Sequence, residues 1–201
     1  MCGIVGGVTN SNITPLLLEG LNRLEYRGYD SSGLIVLSDK NTFNRARSVG
    51  KVKNLEKNLN ERINKIKGNI GIAHTRWATH GEPSSLNAHP HISKNSVSVV
   101  HNGIIENYAS LKNDQKKLGY EFKSETDTEV IAHAIDYAIK SSKTLIESVQ
   151  KVVNSFEGSY GLGIMSSQFP DQIIATRKGS PLVLGIGSNG NYIASDQMAL
   201  L

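Results

Sequence analysis

The chain begins with the run CGIVGGVT at residues 2–9, which is short, apolar and rich in β-branched side chains. Runs of this kind are typical of buried β-strands. A strand over residues 3–8 starts almost with the chain and anchors the amino terminus inside the fold. It also holds in place Cys2, the single cysteine among 201 residues.

Helices are marked by start signals followed by apolar stripes. Thr14-Pro15 supplies an N-cap and a proline at the first helical position, which predicts a helix over about residues 14–25. Residues 126–129, with the sequence TDTE, have the pattern of a capping box, and so do residues 144–147. Each box precedes an apolar stripe at helical spacing, so we expect two further helices there.

Strands outnumber helices in the sequence pattern. Residues 27–33 have loop composition, and Asn102-Gly103 is a pair favoured in tight hairpin turns. Strands in runs and helices in a block predict an α+β fold with largely antiparallel sheets, in one domain over residues 1–201. The further predicted strands cover residues 34–37, 70–74, 97–101, 160–165, 172–176, 182–186 and 192–194.

Composition argues against several classes of protein. There are 22 basic and 18 acidic residues, a dispersed net charge of +4, and only 6% aromatic residues, which does not favour a nucleic-acid partner. No apolar run approaches the ~18 residues of a membrane span, and the terminus lacks the pattern of a signal peptide. We expect a cytoplasmic protein with no membrane association, and one cysteine agrees with a reducing compartment.

Cys2 is a candidate nucleophile because of its position. Removal of Met1 places a thiol and a free α-amine on one residue. The amine has a reference pKa of about 7.7 to 8.0 and the thiol one of about 8.5, so the amine can serve as a base near neutral pH. Nucleophile and base then come from a single residue. The alternative interpretation of a lone cysteine is a small buried apolar side chain.

Three other positions supply what an acyl-transfer site needs. Asn102-Gly103 offers an amide NH₂ and an unhindered backbone N–H that could stabilise an oxyanion, although the pair alone also fits a turn. Arg76 has the planar fork that suits a carboxylate, although it also fits a solvated surface position. Asp127 could bind an ammonium group, although acidic residues are favourable in any first helical turn. Together Arg76 and Asp127 could hold an α-amino acid.

Histidines cluster in the sequence and raise the hypothesis of a metal site. Five of the six lie within 28 residues. There is no H-E-x-x-H pattern, no second cysteine and no acidic partner at ligand spacing, so we expect no metal and assign most of them hydrogen-bonding or core roles. The five are His74, His80, His89, His91 and His101.

Four ordered blocks together resemble the class II glutamine amidotransferases, which are N-terminal nucleophile hydrolases. They are CGIVG at residues 2–6, HTRWATHG at 74–81, HNGIIEN at 101–107 and SETDTE at 124–129. Two more blocks resemble the members of this family that pass ammonia to fructose 6-phosphate. They are RLEYRGYDSSG at residues 23–33 and GSPLV at residues 179–183.

The resemblance implies a four-layer αββα sandwich and cofactor-free hydrolysis of L-glutamine to glutamate and ammonia. Cys2, once Met1 is cleaved, would form a γ-glutamyl thioester, with its own amine as base and then acid. Asn102 and Gly103 match the oxyanion hole. Arg76 matches the residue that binds the substrate α-carboxylate, and Asp127 the residue that binds its α-amine.

The resemblance extends to residues around that centre. Thr79, His80 and the Gly103 backbone match further contacts to glutamine. Arg27 resembles a residue that orders the catalytic terminus. Trp77 resembles the gate through which ammonia leaves towards a second site.

Family members that use fructose 6-phosphate continue into a sugar-phosphate isomerase domain, which these 201 residues do not supply. The isolated domain is expected to be a monomer or a weak oligomer, and the full-length enzyme a homodimer. Three alternatives stay open. One is a glutaminase domain with another acceptor, as in amidophosphoribosyltransferase, which the block at residues 26–31 disfavours. The others are a module that binds glutamine without cleaving it and a histidine-rich metal hydrolase.

Overall fold

A computed structural model describes residues 2–61 and 66–200. The helices are α1 (Thr14–Leu24), α2 (Val52–Asn60), α3 (Tyr108–Lys117), α4 (Glu129–Ile139) and α5 (Leu145–Val153). The first five strands are β1 (Gly3–Thr9), β2 (Ser31–Leu37), β3 (Phe43–Val49), β4 (Ile70–Arg76) and β5 (His91–Ser93). The other five are β6 (Val97–Ile105), β7 (Gly158–Ser166), β8 (Phe169–Lys178), β9 (Val183–Gly187) and β10 (Gly190–Ala194). No helix within these ranges is long and apolar enough to cross a membrane.

The strands form two sheets. Six strands pair in the order β3-β2-β4-β1-β10-β9, and four pair in the order β5-β6-β7-β8. Every neighbouring pair in both sheets is antiparallel. In β1, Val5 lies opposite Ala73 on one side and Ala194 on the other. The predicted α+β class with antiparallel sheets is confirmed.

Successive side chains of a strand point to opposite faces of the sheet, so each strand can pack against a different layer on each side. Ile4 packs in a cluster between the two sheets with Ile72 of β4 and Val100 of β6. Val5, the next residue, packs instead against α1 through Leu17. Helices α4 and α5 cover the outer face of the four-stranded sheet. The layers therefore run helix, sheet, sheet, helix, as the family resemblance implied.

The loop predicted over residues 27–33 is shorter than expected, because its last three residues begin β2. Ser31 pairs with Arg76 and Ser32 with Thr75, and both serines are buried. Strand pairing satisfies their backbone groups, so a polar stretch is tolerated in the interior. Pairing also brings this segment beside the end of β4.

The turn predicted at Asn102-Gly103 is wrong, because β6 continues through both residues to Ile105. Gly103 pairs with Tyr160 of β7 and has a φ of +131°. A Cβ atom at Gly103 would lie 2.1 Å from the carbonyl oxygen of Ser159. Close backbone approach within a strand, and not a chain reversal, is therefore the reason for glycine here.

All three predicted helices are present, but the predicted side-chain cap is absent at two of them. The N-cap of α1 is Ile13, and the hydroxyl of Thr14 donates instead to the carbonyl oxygen of Ile66. At α4 the N-cap Thr128 makes no side-chain cap, and the Glu129 carboxylate accepts hydrogen bonds from upstream residues. At α5 the Thr144 hydroxyl does accept a hydrogen bond from the backbone N–H of Glu147, as expected of a capping residue.

Candidate active site

One cleft gathers most of the residues singled out from the sequence. Antiparallel pairing sets Gly3 opposite Thr75, so Cys2 at the start of β1 meets the residues that end β4. Strand β6 of the other sheet contributes Gly103. The cleft is lined by Cys2, Arg76, Trp77, Thr79, His80, His89, His101, Gly103, Thr126, Asp127 and Thr128.

Cys2 is held by backbone groups at the end of β4. The Trp77 N–H donates to its sulfur at 3.2 Å, and the thiol donates to the Trp77 carbonyl oxygen at 3.5 Å. Burial raises the pKa of the Cys2 thiol, and the hydrogen bond from Trp77 only partly opposes this. At neutral pH the thiol is therefore protonated, and attack on an acyl carbon needs a base close to the sulfur.

Asn102 lies between Cys2 and a buried histidine. Its side-chain Nδ2 donates to the carbonyl oxygen of Cys2 at 3.1 Å. Its Oδ1 lies 2.9 Å from Nε2 of His74, which is also 2.9 Å from the carbonyl oxygen of His101. Both neighbours of Nε2 are acceptors, so that nitrogen carries the proton. His74 thus fixes the amide with its NH₂ group turned towards Cys2.

Arg76 is buried and fully engaged in the structure. Its Nη1 lies 3.3 Å from Oδ1 of Asp30 and 3.4 Å from the carbonyl oxygen of Glu82. Its Nη2 donates to the carbonyl oxygens of His80 and Gly81, the latter at 3.0 Å. The guanidinium therefore holds the loop over residues 77–82 against the end of β4.

Asp30 is a site residue that the sequence reasoning missed. Besides its contact with Arg76, it accepts hydrogen bonds from the backbone N–H of Ala78 and from the Ser31 hydroxyl. It joins the start of β2 to the loop that carries Thr79. Its sequence signal is the block at residues 23–33, whose resemblance indicates a branch of the family and no site role for Asp30.

Asp127 is buried at the floor of the cleft. Its Oδ2 accepts from the backbone N–H of Ile105 at 2.7 Å and lies 3.9 Å from Nδ1 of His101. Asp127 does not cap α4 through its side chain, because the N-cap residue is Thr128. The carboxylate instead ties the end of β6 to the start of α4.

Four of the clustered histidines form a buried row. They are His74, His89, His91 and His101. His74 stacks on His89 with ring centroids 4.2 Å apart, and His89 meets His91 at 4.7 Å. The Thr128 hydroxyl lies 2.8 Å from His89 Nε2 and 3.0 Å from His101 Nδ1.

Burial lowers the pKa of each of these four histidines, that of His74 to about 3, so all are neutral at pH 7. Over residues 2–61 and 66–200, no group of three or more His, Cys, Asp or Glu is placed to hold a metal ion. The fifth histidine, His80, lies in the cleft wall, where its ring meets Tyr108 edge-on at 5.3 Å.

The remaining two expected residues are Arg27 and Trp77, of which only Trp77 lies at the rim of the cleft. Nη1 of Arg27 is 3.7 Å from Oδ2 of Asp196, and its side chain is largely buried. Trp77 is 53% exposed and covers Gly28. A Cβ atom at Gly28, whose φ is +81°, would lie 2.5 Å from the Trp77 ring. Arg27 does not line the cleft itself, whereas Trp77 does.

Comparison with known proteins agrees with this geometry. The glutamine amidotransferase domain family matches residues 74–201. Glutamine–fructose-6-phosphate aminotransferase (isomerizing) from Acinetobacter baylyi is 55% identical over the whole chain, and the enzyme of that name from Escherichia coli K12 is 53% identical. In both cases the chain spans 32% of the relative's length.

A solved structure of glutamine phosphoribosylpyrophosphate amidotransferase from B. subtilis superimposes on 99% of the chain with a TM-score of 0.83. It is 25% identical, and the match covers 43% of that protein. A second structure, described as the allosteric regulatory enzyme of purine biosynthesis, matches with a TM-score of 0.84. The chain belongs to the glutamine amidotransferase domain family.

Proposed function

We propose that the protein hydrolyses L-glutamine to glutamate and ammonia, with Cys2 as the nucleophile. The observation that carries the proposal is the meeting of Cys2 with the Asn102 amide, whose Nδ2 lies 3.1 Å from the Cys2 carbonyl oxygen. A thiol and an oxyanion donor from different sheets converge there. In this reading residues 1–201 are one glutaminase domain.

The high pKa of the thiol makes a base necessary. After removal of Met1, the free α-amine of Cys2 takes the thiol proton as the sulfur attacks the side-chain amide carbon. The resulting oxyanion accepts hydrogen bonds from Nδ2 of Asn102 and the N–H of Gly103. The ammonium of Cys2 then protonates the leaving nitrogen, and ammonia departs. Water, activated by the same amine, hydrolyses the γ-glutamyl thioester and restores the thiol.

The two ends of the amino acid are bound by opposite charges. Arg76 binds the α-carboxylate and Asp127 the α-amine, with further contacts from Thr79 and His80. The four residues line one cleft, which supports this assignment. In the structure Arg76 donates hydrogen bonds to carbonyl oxygens of the loop. When glutamine binds, hydrogen bonds to its α-carboxylate replace some of them.

The cleft has to widen when glutamine enters. Its volume is about 20 Å³, which is room for about one water molecule. The loop over residues 77–82 forms one wall and is tied down mainly by Arg76 and Asp30. Exchange of the Arg76 contacts on substrate binding would release that wall.

We propose further that the ammonia serves the synthesis of glucosamine 6-phosphate from fructose 6-phosphate. The support is identity of 53–55% to glutamine–fructose-6-phosphate aminotransferases, against 25% to an amidotransferase that uses phosphoribosylpyrophosphate. The acceptor would bind in a sugar-phosphate isomerase domain of a full-length homodimer. Trp77 at the rim would gate the ammonia, and Arg27 would order the terminus. No cofactor takes part in these steps.

Release of glutamate from glutamine by the purified chain tests the proposal. We expect Cys2→Ala to abolish release and to leave calorimetric binding of glutamine intact. Wild-type turnover in Cys2→Ala would contradict the mechanism. Binding without turnover in the wild-type chain, once its first residue is shown to be Cys2, would identify a binding module instead.

A further inference from the structure

A cavity with a volume of about 420 Å³ lies apart from the cleft. It opens between the exposed edges of the two sheets, because β3 ends the six-stranded sheet and β5 ends the four-stranded sheet. The segment between α3 and α4 closes it through Tyr120 and Lys123. None of its lining residues lines the cleft around Cys2. The volume falls within the ~300–1,000 Å³ typical of small-molecule sites.

Four arginine and lysine residues line the cavity. Arg45 and Arg47 are two residues apart on β3 and so point to the same face of the strand. Lys94 and Lys123 approach from the other side, and Glu121 and Glu129 are the acidic residues of the lining. Positive charge is therefore in excess inside a partly enclosed space.

Neither arginine has a carboxylate partner. Among the described residues, no carboxylate oxygen lies within 4.0 Å of the Arg45 or Arg47 guanidinium. Their Nη1 atoms donate instead to backbone carbonyls, Arg45 to that of Pro90 and Arg47 to those of Leu86 and Ala88. These bonds hold the guanidinium groups in position, and the Glu129 carboxylate acts on both charges only from beyond ion-pair distance. Burial and the neighbouring Arg45 lower the pKa of Arg47 to about 10, so it stays charged at neutral pH.

Of the two acidic residues in the lining, Glu129 is already held by hydrogen bonds. The Glu129 carboxylate accepts hydrogen bonds from the backbone N–H groups of Lys123 and Ser124 and from the Ser124 hydroxyl. These three bonds hold it at the start of α4. Glu121 is exposed to solvent.

From this arrangement we propose that the cavity binds the phosphate group of a small phosphorylated metabolite. Two guanidinium forks and two ammonium groups suit a dianion with several acceptor oxygens. The volume leaves room for an organic part beside the phosphate group. The site is separate from the proposed glutaminase centre and does not depend on it.

The test is isothermal titration of the 201-residue chain with glycerol 3-phosphate and with inorganic phosphate, at constant ionic strength set with chloride. We expect saturable binding of both, tighter for the monoester. Arg47→Gln should weaken binding by about tenfold or more, since it removes charge-assisted hydrogen bonds. Arg177→Gln, which removes an exposed arginine on β8 at the far edge of the same sheet as β5, is the matched control and should bind as wild type does.

Lys123→Gln is a second variant, because Arg47 also supports the backbone of Leu86 and Ala88. Its side chain is exposed and has no such structural bond, so weaker binding by this variant reports lost charge alone. Absence of saturable binding would overturn the proposal. Equal affinity of wild type, Arg47→Gln and Lys123→Gln would overturn it too, as would tighter binding of inorganic phosphate than of the monoester.

Discussion

His74 and Asn102 are joined by a hydrogen bond of 2.9 Å between Nε2 and Oδ1, and the Asn102 amide is joined in turn to the Cys2 carbonyl oxygen. Burial keeps His74 neutral, and its second bond, to the carbonyl oxygen of His101, fixes the tautomer that donates to Asn102. The orientation of the proposed oxyanion donor is thus set by a residue that does not line the cleft.

We expect His74→Leu to lower kcat and to leave KM for glutamine nearly unchanged. The amide would lose the bond that orients it, whereas the residues that bind glutamine would keep their places. Asn102→Ala removes the donor itself and should lower kcat by about 100-fold or more. His74→Gln retains a side-chain N–H donor and should recover part of the rate. Steady-state kinetics of the three variants check this, and an equal rise in KM across them would argue for general disruption of the cleft.

Arg76→Lys should raise KM for glutamine by about tenfold, because a point charge replaces a planar fork that binds a carboxylate through two hydrogen bonds. The effect on kcat should be smaller. Arg177→Lys changes an exposed residue on β8 in the same way and serves as control. An unchanged KM in Arg76→Lys would place the carboxylate elsewhere.

Stability should fall as the pH is lowered from about 6.5 to 5, the range in which unfolded histidines become charged. Burial holds the pKa values below the ordinary value in four histidines, namely His74, His89, His91 and His101. Over this pH range the unfolded chain therefore binds more protons at these histidines than the folded chain does. Each can contribute up to about 1.4 kcal/mol per pH unit to the loss. Urea unfolding midpoints across this range give the slope. A flat profile would mean that these histidines take up protons over the same pH range in the folded and the unfolded chain.

Gly28→Ala should displace the Trp77 ring, because a Cβ atom there would lie 2.5 Å from it. Trp77 is the single tryptophan, so its emission reports the movement directly. Gly119→Ala is a matched control: Gly119 has nearly the same φ, +82°, but nothing within 4 Å of its Cβ position. Both variants carry the backbone strain of an alanine at positive φ, and only Gly28→Ala should shift the emission. The same shift in both would assign the effect to backbone strain.

Local patterns predicted most of the strands and three of the five α-helices in the part of the chain that the structure describes, and they failed where tertiary contacts decide. Asn102-Gly103 has the composition of a turn, but pairing with β7 keeps it within a strand. Strand β3 alternates charged and small residues at a sheet edge, so it has no apolar pattern to detect. Helix α3 buries only Gln115 of its ten residues, and its stripe is correspondingly weak.

The candidate site shows the same division. The sequence identifies those residues whose chemistry or family motif stands out, namely Cys2, Arg76, Asn102, Gly103 and Asp127. The positions of Asp30 and His74 beside them depend on the registers of β2 and β4 and on the packing of the two sheets. Contacts of this kind leave no local signature, so these two supporting residues could be assigned only from the structure.

The most direct test of the nucleophile is the intact mass of the purified chain before and after incubation with 6-diazo-5-oxo-L-norleucine, a glutamine analogue that alkylates nucleophilic thiols. We expect a mass without Met1 and a single stoichiometric adduct, mapped by peptide sequencing to Cys2. Excess L-glutamine should protect against it. A chain that begins at Cys2, is folded and remains unmodified would contradict a glutamine-shaped site with a reactive thiol.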